Sequence, residues 1–217
     1  MESRAHLELG EKTLRLYRLI AEAGLARGSH GNASCYAPDV GLICIKSSGA
    51  LCTTITPDEL VFLRIDGRID RGTLRPSVDT EHHLKVYRQI TSVRAIVHTH
   101  SPYASAFAAL GESVPALITA VADRFGREIP CLPYQGPTAD LGALLVSAAQ
   151  KHSGCLVARH GLFAFGSTAV AAFDAAYAIE ECARTCYIAR MLGVRDPLPD
   201  EAVVAWNDRY RKDYGQG

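Results

Sequence analysis

Apolar side chains recur at helical spacing over roughly residues 6 to 25. Leu14, Tyr17, Ala21 and Gly24 fall on one side, with Leu16, Leu19, Ile20 and Ala23 beside them. Positions three and four apart stack on one face of a helix, so the segment reads as an amphipathic helix ending before Arg27-Gly28-Ser29. The small-residue stretch Gly28 to Ser34 then interrupts the pattern. Runs with strand character follow at 41–45 and 60–65, and Asp66-Gly67 after the second is a hairpin-type turn. Between them Thr56-Pro57-Asp58-Glu59 reads as a helix start, with Thr56 as cap and Pro57 at the first helical position. Further helices are predicted over 80–89, from Pro102 onward, over 140–151 and over 168–192, the last stopping at Gly193. Arg94 to Val97 and Cys155 to Ala158 read as short buried strands.

Helices alternating with strands too short and irregular for a doubly wound sheet predict one α/β domain over 1–217. Its central sheet is expected to be mixed or antiparallel and flanked by helices, with a flexible C-terminal segment from about 200. No repeat, low-complexity tract or linker divides the chain.

Composition narrows the function classes. The chain has 217 residues, 48% apolar and 21% charged, which is enough to bury a single core. Lys and Arg number 23 against 23 Asp and Glu, so no broad nucleic-acid footprint is expected. Net charge leaves a small anionic substrate open, because one local pocket decides that. The first residues are charged and lack the apolar core of a signal peptide, and no stretch approaches the roughly 18 apolar residues of a membrane span. Neither nucleic acid nor membrane is therefore an expected partner, and a cytoplasmic location is expected. The seven cysteines are scattered without paired spacings, which predicts reduced, mostly buried thiols.

Candidate chemistry gathers at three places. His98-Thr99-His100 ends an apolar run, and residues two apart on a strand point to one face, so both imidazoles can reach one ion. His160 ends a second apolar run and precedes Gly161, where the backbone turns sharply or approaches a neighbour closely. Arg75-Pro76-Ser77-Val78-Asp79-Thr80 leads into the 80–89 helix. Asp79 there is a candidate helix cap, metal ligand or general base, with Glu81 as fallback. His82 and His83 read as a surface and a packing residue of that helix, His6 and His152 as surface, and His30 as a solvated loop residue, with a place facing the substrate as its alternative.

Taken together these segments resemble the class II aldolase/adducin family, whose enzymes include L-fuculose-phosphate aldolase and L-ribulose-5-phosphate 4-epimerase. The resemblance runs from Gly31-Asn32-Ala33-Ser34 to the long helix ending near Gly193. It rests on Ile96-Val97-His98-Thr99-His100-Ser101, on Arg159-His160-Gly161-Leu162 and on Pro76-Ser77-Val78-Asp79-Thr80. It implies a three-layer fold and a zinc site, with Mn2+ or Co2+ as alternatives, held by His98, His100 and His160. Asp79 would bind resting metal and shuttle a proton.

Gly31, Asn32, Lys46, Ser48, Gly49 and Ser77 match phosphate-binding positions. Val78 departs from the family's second serine, which leaves only its backbone N–H. Tyr134 matches a tyrosine that donates a proton to the aldehyde oxygen from a neighbouring subunit.

The implied reaction is cleavage of a ketose phosphate of L-fuculose-1-phosphate type to dihydroxyacetone phosphate and an aldehyde, through a metal-stabilised enediolate, in a homotetramer. Lys46, the Asp at position 79, Asp123 and the ending Asp213-Tyr214-Gly215-Gln216 resemble the epimerases instead, where a C-terminal tyrosine supplies a proton. A non-catalytic adducin-like module would be expected to have lost some of these ligands, whereas all four are present.

Overall fold

The computed structural model describes residues 3–136 and 140–213. Helix α1 (Arg4–Glu22) starts where the Ser3 hydroxyl accepts from the His6 amide, and it buries Leu9, Leu14, Leu16, Tyr17 and Ile20. Strands β1 (Asn32–Ala37), β2 (Leu42–Lys46), β3 (Leu60–Arg64) and β4 (Ile69–Arg71) then run as a meander. The predicted helix start at Thr56 yields one 3-10 turn, with the Thr56–Glu59 capping box in place.

Next come α2 (Thr80–Gln89), β5 (Ala95–Thr99), α3 (Pro102–Leu110), β6 (Val114–Pro115), α4 (Thr119–Phe125), β7 (Glu128–Ile129) and β8 (Cys131–Leu132). The chain closes with α5 (Leu141–Ala149), β9 (Gly154–Val157), β10 (Gly161–Gly166), α6 (Ala169–Met191) and α7 (Asp200–Asp213).

Eight strands form one sheet in the order β4-β3-β2-β1-β5-β10-β9-β8. Every pair is antiparallel except β8 with β9, so the sheet is mixed. Side-chain alternation divides the core between its faces. Ala95 and Val97 of β5 join the cluster under α1, α3 and α6, whereas Ile96 joins Leu84, Leu145, Phe163 and Phe165 under α2 and α5. His98 follows Ile96 by two and so belongs to the α2 side.

Two central strands differ from the sequence expectation. The stretch read as small-residue and patternless runs into β1, whose first three residues it holds, and β1 pairs with β2 on one side and β5 on the other. Asn, Ser and Ala are poor strand formers, and pairing on both edges overrides that preference. Strand β10 is buried along its whole length, so no alternation marks it in the sequence.

The C-terminal segment expected to be flexible is helical as far as Asp213. It is held to α4 by Asn207, whose Nδ2 donates to the Ala122 and Asp123 carbonyls at 3.1 and 2.8 Å, and Val203 is buried. All seven cysteines are free, and burial raises every one of their thiols. Among the described residues no helix is long and apolar enough to cross a membrane.

Candidate active site

The end of β5 is squeezed between two glycine turns. At Gly31 (φ +79°) a Cβ would stand 2.6 Å from the His98 carbonyl oxygen, and at Gly161 one would stand 2.5 Å from that of Thr99. Glycine alone permits both approaches. They bring His160, in the turn between β9 and β10, to the rings of His98 and His100. Ring centroids lie 4.6 and 5.2 Å from His160, and 4.8 Å from each other. The preceding Arg159 has φ +59°, the one positive value among described non-glycine residues.

One nitrogen from each of the three histidines falls within 4.8 Å of the others. Phe163 stacks under His98 at 4.1 Å and 12°, and His98 Nδ1 lies 2.8 Å from the Leu162 carbonyl. That carbonyl only accepts, so Nδ1 carries the proton and Nε2 presents its lone pair to the cleft. The His98 and His100 Nε2 atoms are 3.1 Å apart, close enough for His100 to donate to His98, and close enough for both to meet one cation once His100 holds its proton on Nδ1. The triad can thus hold a divalent metal ion.

Asp79 occupies the N-cap position of α2, yet its side chain caps nothing. Its Oδ2 accepts from Asn32 Nδ2 at 2.6 Å and lies 3.9 Å from His98 Nε2. Of the three readings open for Asp79, the cap therefore drops out. Burial pushes the Asp79 carboxyl up, but attraction to His98 and His83 and the Asn32 donor outweigh it, and the group sits below its usual range. Burial holds His98 down to about 3 and lowers His100 and His160 as well. Near neutral pH the site thus offers one carboxylate and three neutral imidazoles, the protonation state a cation requires.

A cleft of ≈ 220 Å³ opens over this group. Its walls include Gly31, Asn32, Lys46, Ser48, Gly49, Ser77, Val78, Asp79, His98, His100 and His160, every residue the sequence nominated for metal or phosphate. Two of the turn amides are already taken. The Ser48 and Ser77 amides are engaged by the Arg75 and Lys46 carbonyls at 2.8 and 3.0 Å, so these serines offer hydroxyls. Lys46 is buried, and its ammonium donates to the Ser29 and Ala50 carbonyls at 3.1 and 2.9 Å, leaving one N–H. Burial lowers its pKa. The Val78 side chain is 85% exposed. Asn32 Oδ1 is buried without a partner, an acceptor waiting for a donor from the cleft.

Other candidates lie elsewhere. Tyr134 is 57% exposed and outside the cleft of its own chain, with the Arg159 guanidinium 5.7 Å from its ring centre. Tyr214 lies outside the described residues. Glu81 is on the exposed face of α2, paired with Arg88, and Asp123 sits in α4 against α7. Sequence reasoning missed Ser29 and preferred the solvated reading of His30, yet both line the cleft; the His30 ring is 6.0 Å from that of His100. Their adjacency to Gly31 was the available signal.

The family model for the class II aldolase and adducin N-terminal domain matches residues 11–187. A 5-deoxy-D-ribulose 1-phosphate aldolase from Bacillus thuringiensis serovar kurstaki is 31% identical over 207 residues, covering 95% of this chain and 96% of its own. An L-ribulose-5-phosphate 4-epimerase from Salmonella paratyphi B is 37% identical over 190 residues, covering 82% and 83%. Among solved structures, an L-fuculose 1-phosphate aldolase superposes with a TM-score of 0.86 at 25% identity, covering 97% of this chain and 98% of its own. With the family model spanning most of the sequence and curated relatives above 30% identity over nearly their full length, the chain belongs to the class II aldolase and adducin family.

Proposed function

We propose that the protein is a zinc-dependent aldolase that cleaves a ketose 1-phosphate of the L-fuculose-1-phosphate type into dihydroxyacetone phosphate and an aldehyde. The observation carrying this reading is the meeting of two donor sets in one cleft: His98, His100 and His160 with Asp79 on one side, Lys46, Ser48 and Ser77 on the other. The first set suits a divalent cation and the second a phosphate. A zinc ion bound there supplies Lewis-acid charge for the negative charge that builds on the substrate's carbonyl oxygen as the carbon–carbon bond breaks.

The remaining work falls to side chains. Ser48 and Ser77 hydroxyls and the last Lys46 N–H bind the phosphate, and the Lys46 charge offsets its charge. Asn32 holds Asp79 Oδ2, which leaves Oδ1 to move the proton at the carbon next to the carbonyl. The orphaned Asn32 Oδ1 accepts from a substrate hydroxyl. Beside the cleft, a second cavity of ≈ 320 Å³ shares His30 and His100 with it and gives the rest of the sugar chain room.

Tyr134 enters this scheme from a neighbouring subunit of a homotetramer: it takes up the proton of the hydroxyl that becomes the aldehyde as the bond breaks, and donates it to the aldehyde oxygen in the reverse, bond-forming direction. Exposed Leu110, Met191 and Leu192 support such an assembly. They lie where the ends of α3 and α6 meet, beside the Glu112–Arg190 ion pair of 2.6 Å. Seven free thiols in a sugar-phosphate enzyme suit a cytoplasmic location.

A second reading, a sugar-phosphate 4-epimerase, is favoured by Lys46, by Asp at position 79 and by the 37% identical relative. It uses the same bond cleavage and re-forms the bond after the aldehyde rotates. Incubating the zinc-loaded protein with a panel of ketose 1-phosphates and with L-ribulose 5-phosphate separates the two. Release of dihydroxyacetone phosphate is expected, whereas inversion at C4 without cleavage products supports the epimerase. No reaction with any member contradicts both.

A further inference from the structure

Beneath the cleft, β1 and α2 are joined by two polar rungs. Asn32 and Ser34 are two apart on the strand, Asp79 and His83 four apart on the helix, so each pair shares a face. The upper rung is Asn32–Asp79, already described. The lower one is Ser34 Oγ to His83 Nδ1 at 2.7 Å, extended by Ser34 Oγ to Tyr87 Oη at 2.7 Å. Ser34, His83 and Tyr87 are all buried, with 0%, 1% and 3% of their surfaces exposed.

Tyr87 has one O–H and two acceptors within reach, the Ser34 carbonyl at 3.0 Å and Ser34 Oγ at 2.7 Å. When it donates to the carbonyl, the Ser34 hydroxyl donates to Tyr87 Oη and accepts from His83 Nδ1–H; when it donates to Ser34 Oγ, the Ser34 hydroxyl donates to His83 Nδ1. In either arrangement the Ser34 hydroxyl ties both rings to β1, and His83 Nε2 is buried without a partner. The His83 ring also meets the edge of Phe163 at 6.3 Å, the same ring that stacks under His98.

We propose that Ser34, His83 and Tyr87 form a positioning relay that fixes the first turn of α2 on β1, and through it the Asp79 carboxylate against His98. None of the three touches the cleft, so they act through Asp79 and are not catalytic residues. The assignment rests on the reading of Asp79 as the proton-moving group.

A cycle of variants tests it, read by turnover and by exchange of the enolisable proton of dihydroxyacetone phosphate. Ser34→Ala is expected to lower kcat roughly ten- to a hundredfold with KM and bound zinc unchanged, the scale set by a small misplacement of a reacting group. The same substitution made on top of Asp79→Asn is expected to cost nothing further. His83→Asn, which keeps a side-chain N–H donor, should lose less than His83→Leu.

The relay is overturned if Ser34→Ala leaves kcat untouched, or if it costs as much in the Asp79→Asn background. Should Ser34→Ala fold poorly, Tyr87→Phe removes the Tyr87–Ser34 link while keeping the ring and the Ser34–His83 bond, with the same pattern expected at smaller size. Wild-type protein that exchanges no proton at all overturns the aldolase reading, a failure seen before any substitution is made.

Discussion

The two ends of the central strands each carry a cavity, and the larger one is not the candidate site. At the far end, where β1 finishes and α6 begins, a space of ≈ 680 Å³ is lined by Lys12, Arg15, Tyr36, Arg94 and Thr168 among others. Several of its polar groups are already satisfied nearby. Arg94 lies over the Tyr36 ring at 5.8 Å, Glu8 is paired with Arg4 at 2.7 Å, and the Thr168 hydroxyl caps α6. At the near end, a cleft of about a third that size holds converging lone pairs, a carboxylate and an orphaned amide oxygen. What distinguishes a reactive site is polar groups aimed at one point and left unsatisfied by the fold. Volume alone does not do it.

That contrast is broken most severely at the histidines. His98→Ala is expected to abolish stoichiometric zinc binding and lower aldol cleavage on the order of a thousandfold, since a Lewis acid contributes several kcal/mol. Metal analysis of the purified variant alongside the cleavage assay checks both. A variant with full zinc occupancy would contradict the role given to the triad.

Asp79→Asn is next. Zinc should remain bound, and exchange of the enolisable proton should fall about a hundredfold to ten-thousandfold, the range for loss of a general base. Undiminished exchange would remove Asp79 from the mechanism.

The near end is also a source of acid sensitivity. Burial holds His98 at about 3 and His83 at about 4, both below their ordinary 6.5. As pH falls below that value the unfolded chain takes up protons that the folded one refuses, so stability declines toward the lowered values. The slope is about 1.4 kcal/mol per pH unit for each histidine. Urea midpoints of the metal-free protein at pH 7 and pH 5 should be lower at pH 5; equal midpoints would contradict the burial argument.

Ser77→Ala should raise KM about tenfold with little change in kcat, as expected when one hydrogen bond to a charged phosphate is lost. The smallest effect is expected at the far end. Arg15→Ala should leave kcat/KM within about twofold, the usual result of a surface substitution. A large loss there would mean that the bigger cavity contributes to turnover.

The sequence made the ligand residues legible because chemistry confines them to few types at short spacings. An HxH pair at a strand end, a His-Gly at a second and an Asp before a helix are local patterns, and the family resemblance joined them. The strands between them were less legible. Asn32 to Ala37 lack strand propensity, and β10 lacks alternation because both faces are buried. Their placement follows from pairing with β5 across more than sixty residues of chain, which no local window contains. The lower rung escaped for the same reason. His83 was read as packing, which is right for the ring and silent about the hydrogen bond at Nδ1.

The glycines flanking β5 carry a consequence for how this enzyme can vary. Gly31 and Gly161 press backbone against backbone on either side of the histidine strand, so the width of the metal-binding triangle is set by peptide groups. Even an alanine at either position would act as a wedge. In a saturation library both sites should tolerate almost nothing, however conservative the replacement. Changes in metal or substrate preference would then have to arise from the exposed side chains of the rim, such as Ser29 and His30, around a frame that evolution can keep or lose but scarcely adjust.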